Sequence, residues 1–213
     1  ARALRLICTP ALAQALLPMA LQRWRERFPR TACQLATQHT VEIVEALLLR
    51  EADLGLTLQA VEHPGLCSRM LTEGRMRVIA PPGCWAQEEL DTPVRLQALA
   101  GRALIGLDTR DALGSLLRGH LEELDPPPRV VTWVQTYQLA RQLVSAGQGV
   151  ALVDPFTALA TDGGEVQTRL LEPAISVPLY ALTRVHEQPL PAQAMLLDAL
   201  GEQAARLLQA EHA

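Results

Sequence analysis

The sequence contains no lysine and no asparagine, and only 3% of its residues are aromatic. All 19 positive charges among its 213 residues are therefore arginines. The lack of lysine excludes Schiff-base chemistry and a phosphate-binding loop that ends in Gly-Lys-Ser/Thr. The formal net charge of −4 argues against a nucleic-acid-binding surface, which usually carries an excess of basic residues. The hydrophobic share of 49% is instead typical of a folded protein with a sizeable core.

The cysteines and histidines are too scattered to predict a metal site or a redox pair. No two of Cys8, Cys33, Cys67 and Cys84 lie within four residues of each other, and no two of the five histidines have the spacing His-x-x-x-His. We therefore expect no metal and no cofactor. We expect the four thiols to be reduced, as in a cytoplasmic protein. The apolar runs are shorter than a membrane span, and the first 20 residues do not have the pattern of a signal peptide.

The first 57 residues alternate between strand and helix patterns. Short apolar runs predict strands at residues 4–8, 32–36 and 53–57. Thr9 and Pro10 are typical of a helix cap and a first helical residue, and Pro29 ends that helix. Thr40 is expected to cap the second helix. This β-α-β-α-β order indicates parallel strands joined by crossover helices.

The same order returns in the second half of the chain. Strands are predicted at residues 66–72 and 76–80, joined by a turn at Glu73 and Gly74. Further strands at 103–107, 130–133 and 150–153 alternate with helices at 113–124 and 136–146. Asp154 and Pro155 begin a short helix, strands follow at 166–171 and 178–184, and a helix at 191–209 ends the pattern. The sequence thus predicts an α/β protein with two Rossmann-like lobes and a cleft between them.

Ligands of such folds lie beyond the carboxyl ends of the strands, against helix N-termini. The residues that follow predicted strands are therefore candidates for ligand binding. They are Thr9, His39, Thr40, Thr57, Asp108, Thr109, Gln135, Thr136 and Asp154.

At these positions the chain resembles the effector-binding domain of LysR-type transcriptional regulators. The resemblance is carried by RLICTP at residues 5–10, by VEAL at 44–47 followed by ADLGL at 52–56, and by LVSAGQGVALV at 143–153. The segment DPF at 154–156 looks like the branch that responds to amino acids or opines. The order and spacing of these segments are more specific than any one of them.

The resemblance implies a type II periplasmic-binding-protein fold that holds a small inducer between two lobes. It places lobe I at residues 1–79 and 182–213, and lobe II at residues 80–181. It also implies that a winged helix-turn-helix DNA-binding domain, absent from this chain, precedes the segment in the full protein. Members of the family usually form tetramers, in which these domains pair side by side in antiparallel fashion. The implied partners are a small-molecule inducer and a second copy of the chain.

The family's effector contacts fall on specific positions of this chain. In lobe I they fall on Thr9, with backbone groups of Pro10 and Ala11, on Thr40 and on Thr57. In lobe II they fall on Thr109, Arg110, Gln135, Thr136 and Asp154. The chain departs from the family at His39, where small residues are common. If His39 faces the cleft, its charge would make inducer affinity depend on pH near neutrality.

Several of these residues have a structural interpretation beside the functional one. Thr9 and Thr40 are expected to cap helices, and a cap also directs helix N–H groups toward a carboxylate. Asp154 before a proline is a good cap, but its carboxylate could also bind an ammonium or guanidinium group. Arg110 either clamps a carboxylate or pairs with Asp108 or Asp111 in a solvated loop.

Catalysis finds little support in the sequence. Ser115 lacks the Gly-x-Ser-x-Gly motif, and the adjacent glutamates at 88–89 and 122–123 are expected to be solvated. The predicted function is inducer sensing for transcription regulation, with a small carboxylate-bearing metabolite, amino acid or opine, as inducer. A periplasmic solute-binding protein of a transport system is the alternative, and an enzyme such as a dehydratase on the same scaffold is a weaker one.

Overall fold

The computed structural model describes residues 2–108 and 112–209, and these residues form two units. The first unit contains residues 2–73 and 178–209, and the second contains residues 74–108 and 112–177. The chain passes between them earlier than at the expected boundaries of 79/80 and 181/182. Of the helices in the described ranges, none is long and apolar enough to cross a lipid bilayer.

The element bounds follow the sequence pattern closely. In chain order they are β1 (Leu4–Cys8), α1 (Pro10–Arg27), β2 (Cys33–Thr37), α2 (Thr40–Leu48), β3 (Leu54–Thr57), β4 (Leu66–Arg75), β5 (Arg77–Ala80), β6 (Val94–Arg95), β7 (Ala103–Leu107), α3 (Ala112–Glu122), β8 (Arg129–Val134), α4 (Tyr137–Ser145), β9 (Ala151–Val153), α5 (Pro155–Leu159), β10 (Gln167–Glu172), β11 (Ser176–Arg184) and α6 (Pro191–Gln209). Two short 3₁₀ helices, Gln87–Glu89 and Leu96–Leu99, flank β6.

The first unit is built on a five-stranded sheet in the order β2-β1-β3-β11-β4. Strand β1 is parallel to both β2 and β3, as the β-α-β-α-β pattern predicts, and β11 is antiparallel to β3. Helix α2 covers this sheet through Ile43 and Leu47, which pack with Ile7 and Leu182 in one apolar cluster. Each of these four side chains is buried because it lies on the inward side of its helix or strand.

Most of the apolar side chains of α1 are buried inside the first unit. Leu12, Leu16 and Trp24 are completely inaccessible to solvent. The indole Nε1 of Trp24 donates to the carbonyl of Ala192 at 2.7 Å, so α1 is fixed to α6. The ring of Trp24 also stacks on Phe28 with 5.5 Å between centroids. A helix that is buried on two sides needs this breadth of apolar residues.

The expected turn at Glu73 and Gly74 is wrong. Both residues lie inside β4, which continues to Arg75. Strand β4 belongs to the sheet of the first unit, whereas β5 belongs to a sheet of the second. The two strands therefore do not form a hairpin. Gly74 is buried within a paired strand. A glycine in a strand can indicate a close approach of other atoms, so it does not by itself predict a turn.

The second unit contains a four-stranded sheet, β6-β10-β5-β9, and a two-stranded parallel sheet, β7-β8. A parallel bridge between Leu104 and Val150 joins the two. It consists of hydrogen bonds from Ile105 N to Val150 O at 2.9 Å and from Val150 N to Ala103 O at 3.1 Å. Strand β9 then pairs antiparallel with β5, a mixed arrangement that the sequence pattern does not reveal.

Candidate functional site

The carboxyl ends of β1, β2 and β3 meet at one edge of the first sheet. Cys8 is level with Thr37 of β2 and with Leu56 of β3. The N–H of Gln38 donates to the carbonyl of Cys8 at 3.0 Å, which holds the chain entering α2 next to the end of β1. The register therefore brings the candidates that follow these three strands to the same edge, as the sequence predicts.

Thr9 occupies the N-cap position of α1, and its hydroxyl group has no partner among the described residues. The backbone at Thr9 is extended, and its carbonyl accepts from Ala13 N at 3.1 Å. Its Oγ1 atom is buried but makes no hydrogen bond, and it caps no N–H of the helix. Pro10 has no N–H, so Ala11 and Leu12 supply the first N–H groups of α1, which lie too early in the helix for intrahelical partners. A buried donor without a partner is costly in a folded protein, so this hydroxyl is a candidate contact for a ligand.

The expectation that Thr40 caps α2 is wrong. His39 is the N-cap, because its backbone is extended and its carbonyl accepts the first bond of the helix from Ile43 N at 3.0 Å. Thr40 is the first helical residue and is half-buried, while His39 is exposed. Neither side chain caps a helix N–H, and the acidic Glu42 lies in the first turn. The positive end of α2 is thus partly offset, whereas the first turn of α1 has no acidic residue.

Thr57 ends β3 and is completely buried. Its hydroxyl donates to the carbonyl of Gln59 at 2.7 Å, so its proton is engaged and its oxygen remains an acceptor. The thiol of Cys8 lies on the same edge. Burial raises the pKa of Cys8 to about 12, so this thiol is uncharged at neutral pH and acts as a small apolar group.

The candidates of the second unit lie after β7, β8 and β9. Asp108 is exposed, and its N–H donates to the carbonyl of Val134 at 2.7 Å. Gln135 is exposed, and Thr136 caps α4 by accepting from Leu139 N at 3.1 Å. Thr109 and Arg110 fall outside the described residues.

Asp154 is a completely buried cap of α5. Its Oδ1 accepts from the N–H groups of Phe156 at 2.9 Å and Thr157 at 3.0 Å, and its Oδ2 accepts from the Thr157 hydroxyl. Burial raises the pKa of Asp154, although these hydrogen bonds act in the opposite direction. The structure therefore supports the capping interpretation of Asp154. Its predicted contact with a cationic end of the inducer stays a prediction.

Arg141 is buried in α4 and is not among the candidates that the sequence predicts. Its guanidinium donates to the carbonyls of Thr157 at 2.6 Å and Ala158 at 2.9 Å, at the end of α5, and to Gly164 at 2.9 Å. Burial lowers the pKa of Arg141. Its burial could have been predicted from its position in the helix, because Arg141 lies on the same face as the buried residues Tyr137, Ala140 and Val144. Arg141 holds the loop after α5 and is not a candidate ligand contact.

Comparison with known proteins decides the family. A family model described as the LysR substrate binding domain matches residues 1–205. The chain belongs to this family. The expected resemblance is thereby confirmed, while its assignment to the amino-acid or opine branch stays a prediction.

Relatives of this LysR substrate-binding domain are named as regulators. The chain is 26% identical to the HTH-type transcriptional regulator DgcR of Pseudoalteromonas sp over 84% of its length and 61% of the relative. It is 29% identical to the regulatory protein NocR of Agrobacterium tumefaciens (strain T37) over 92% of its length and 66% of NocR. It is 25% identical to the transcriptional activator protein LysR of Escherichia coli (strain K12) over 86% of its length and 58% of that protein. The chain thus spans about three fifths of the curated relatives.

Solved structures share the fold at low identity. The effector-binding domain of BenM, with its effector benzoate, aligns with a TM-score of 0.76 and 21% identity over 96% of this chain and 92% of that domain. HinK, a LysR family regulator from Pseudomonas aeruginosa, aligns with a TM-score of 0.77 and 21% identity over 97% of this chain and 72% of HinK. The predicted fold class, a type II periplasmic-binding-protein-like α/β fold with two lobes, is confirmed.

Proposed function

We propose that this LysR substrate-binding domain senses a small carboxylate-bearing metabolite, such as an amino acid or an opine, for a transcriptional regulator. The observation that carries the proposal is the hydroxyl of Thr9, which is buried and lacks a partner among the described residues at the uncapped start of α1. A ligand oxygen would supply the missing partner.

The chemistry of this position favours an anion. The first N–H groups of an α-helix have no intrahelical partners, and the helix dipole adds partial positive charge at the same end. Helix α1 has 18 residues and no acidic residue in its first turn. In the second unit the N–H of Leu139 in α4 is already bonded to Thr136, and the N–H groups of Phe156 and Thr157 in α5 are bonded to Asp154. The N–H groups of Ala11 and Leu12 at the start of α1, together with the Thr9 hydroxyl, suit a carboxylate.

The remaining contacts of the proposal differ in their support. Thr57 ends β3 and the Thr40 segment follows β2, and both strands end at the same sheet edge as β1. His39 is exposed in that segment. Thr109, Gln135, Thr136 and Asp154 enter from their positions after predicted strands and from the family pattern, and Arg110 enters from the family pattern alone. Benzoate, the effector of the BenM domain, is itself a carboxylate and supports this ligand class.

The proposal extends to the whole regulator. The relatives named as HTH-type regulators support a DNA-binding domain outside this chain, and the family supports a cytoplasmic location. An inducer would favour one arrangement of the regulator through its differential affinity, and so change operator contacts made elsewhere. Catalysis and the solute-receptor alternative are not favoured, because the family model and the named relatives belong to transcription regulators.

A homodimer is the proposed assembly, and the edge strand β2 supports it. Leu35 on β2 is 41% exposed. Strand β2 ends its sheet, so one side of its backbone has no neighbouring strand among the described residues. An exposed apolar edge is a ready surface for pairing with another chain.

A ligand screen tests the proposed function. Amino acids, opines and aromatic acids are added singly to the chain, and thermal unfolding is followed with and without each compound. We expect a member of the carboxylate classes to raise the midpoint temperature in a concentration-dependent manner, because a bound ligand stabilises the folded state by mass action. Calorimetry then gives its affinity. Binding by uncharged amide analogues as tight as by the acids would contradict the proposal.

A further inference from the structure

A cavity of about 150 Å³ lies inside the second unit, between helix α3 and strands β7 and β8. Its walls are mostly apolar and include Leu104, Leu117, Leu121, Pro128, Val130 and Trp133. None of these residues is among the candidates for the effector site. Protein interiors are normally packed with few voids larger than a water molecule, so an apolar void of this size needs an explanation.

The cavity has a buried floor and an accessible rim. Leu104 is 2% exposed and Leu117 is 5% exposed, whereas Trp133 is 56% exposed. The Trp133 ring packs closely against β7, because a Cβ atom at Gly106 would be only 2.8 Å from it. The exposed indole and the half-buried Leu121 therefore form a rim through which a small molecule can enter.

Water is a poor occupant of such a space. A buried water needs two to four polar partners, and the floor of this cavity consists of leucine, isoleucine and valine side chains. Apolar cavities of roughly 150 Å³ lined by such residues stay dry and bind benzene. The size and lining here match that class of occupant.

The charges at the cavity do not favour an anion. Arg118 and Glu122 both line it, and they lie four residues apart on one face of α3. Their opposite charges offset each other, and Arg118 is already engaged in an interaction within the chain. A carboxylate entering this space would lose its hydration and would meet the negative charge of Glu122 beside Arg118.

We infer that this cavity is a second binding site, which takes a small uncharged molecule with one aromatic ring. The site is distinct in chemistry from the proposed carboxylate site in the first unit. The inference does not depend on the proposed function, because it rests on the shape and lining of the second unit alone.

Toluene, with benzoate as the charged counterpart, tests the inference on the complete chain. Nuclear Overhauser effects are measured between toluene protons and the methyl groups of Leu117 and Leu121. We expect such contacts for toluene and none for benzoate. The absence of toluene contacts to these two leucines would overturn the inference, and equal contacts from benzoate would overturn its charge selectivity.

Two matched variants of α3 complete the experiment. Leu121→Trp fills the cavity, whereas Leu116→Trp alters a residue of the same helix that is 49% exposed and does not line the cavity. Toluene should stabilise the wild type and Leu116→Trp against heat and lose this effect in Leu121→Trp. Unchanged toluene stabilisation in a folded Leu121→Trp variant would overturn the inference. If that variant does not fold, the contacts in the wild type decide.

Discussion

The carboxylate of Asp53 joins three segments of the first unit through hydrogen bonds and ion pairs. It accepts from the N–H of Arg5 at 3.0 Å and from the guanidinium of Arg5 at 2.8 Å, and it lies 3.6 Å from that of Arg184. Arg184 also donates to the carbonyls of Leu47 and Ala52. Burial alone would raise the pKa of Asp53, but the hydrogen bonds and charge of Arg5 hold it below its usual value.

This lowered pKa predicts how stability depends on pH. A carboxyl group whose pKa is lower in the folded state stabilises the protein above its unfolded pKa of about 3.9, and this contribution is lost as pH falls through the folded value. Asp53→Asn should therefore reduce the free energy of unfolding by about 1–3 kcal/mol at neutral pH. It should also make the free energy of unfolding depend less on pH between pH 2 and 7, as measured by urea unfolding.

The exposed pair of Arg69 and Asp198 is the control for that experiment. These side chains are 59% and 70% exposed and 4.0 Å apart. Asp198→Asn should change the free energy of unfolding by less than about 1 kcal/mol. If Asp53→Asn had no larger effect than Asp198→Asn, the structural role given to Asp53 would be wrong.

The capping role of Asp154 can be tested by two substitutions. Burial raises its pKa, so a neutral side chain of the same shape should replace it at little loss of stability. Asp154→Asn keeps an oxygen for the N–H groups of Phe156 and Thr157, whereas Asp154→Ala leaves both without a partner. The alanine variant should lose about 1–2 kcal/mol more than the asparagine variant in urea unfolding. Equal losses would show that the cap contributes nothing.

At the residue scale, the sequence predicts where helices start better than it predicts the contacts of the residues there. It placed Thr9 before α1 and Asp154 before α5, because Thr-Pro and Asp-Pro are strong signals of a helix start. It chose Thr40 over His39 as a cap because threonine is the commoner cap residue, but the extended backbone begins one residue earlier. Nothing in the sequence shows that the hydroxyl of Thr9 lacks a partner, since this depends on which groups the fold brings near it.

The element scale shows where local patterns fail. Helices α1 and α6 agree with the predicted ranges, since proline marks the start of each and the apolar spacing runs through both. Strand β4 does not, because its pairing in the sheet of the first unit overrides the turn signal of Glu73 and Gly74. Strand β6 has two residues, too few for a periodic pattern, and was not predicted.

Two glycines near α3 give a test of the packing between β7 and β8. A Cβ atom at Gly106 would lie 2.8 Å from the Trp133 ring and 2.9 Å from Val130, while a Cβ atom at Gly119 would meet no atom within 4 Å. Gly106→Ala should therefore destabilise the protein by about 1–3 kcal/mol. Gly119→Ala should stabilise it by up to about 1 kcal/mol, because alanine favours a helix interior. Chemical unfolding of both variants checks this, and a stabilised Gly106→Ala would refute the described packing.

At the scale of the whole molecule, the two-unit organisation follows from the repeated order of elements. The order of elements does not reveal where the chain passes from one unit to the other. Both crossings lie within continuous strands, since β4 spans the change at 73/74 and β11 spans the change at 177/178. The sheet pairing of the second unit also depends on long-range contacts between β5, β9 and β10. A single sequence carries no direct signal for such pairing.

The proposed homodimer makes a prediction at this scale. Leu35 is 41% exposed on the edge strand β2, so an arginine there should not disturb the core. Leu35→Arg should weaken the dimer at least tenfold, about 1.4 kcal/mol, in sedimentation equilibrium. Leu190→Arg is the control, since Leu190 is 64% exposed and lies in the segment before α6. A wild-type chain that stays monomeric at high concentration would contradict the proposed pairing of these domains.

The most direct test of the account is a comparison of Thr9→Val with the wild type in carboxylate affinity and stability. Because the Thr9 hydroxyl has no partner among the described residues, the variant should keep the free energy of unfolding within about 0.5 kcal/mol or raise it. The same variant should lose about 1–3 kcal/mol of affinity in calorimetry with the acid found by the screen. Thr72→Val, on β4 of the same unit, should lose none. Unchanged affinity in Thr9→Val would contradict the central claim that this hydroxyl and the start of α1 hold the acid.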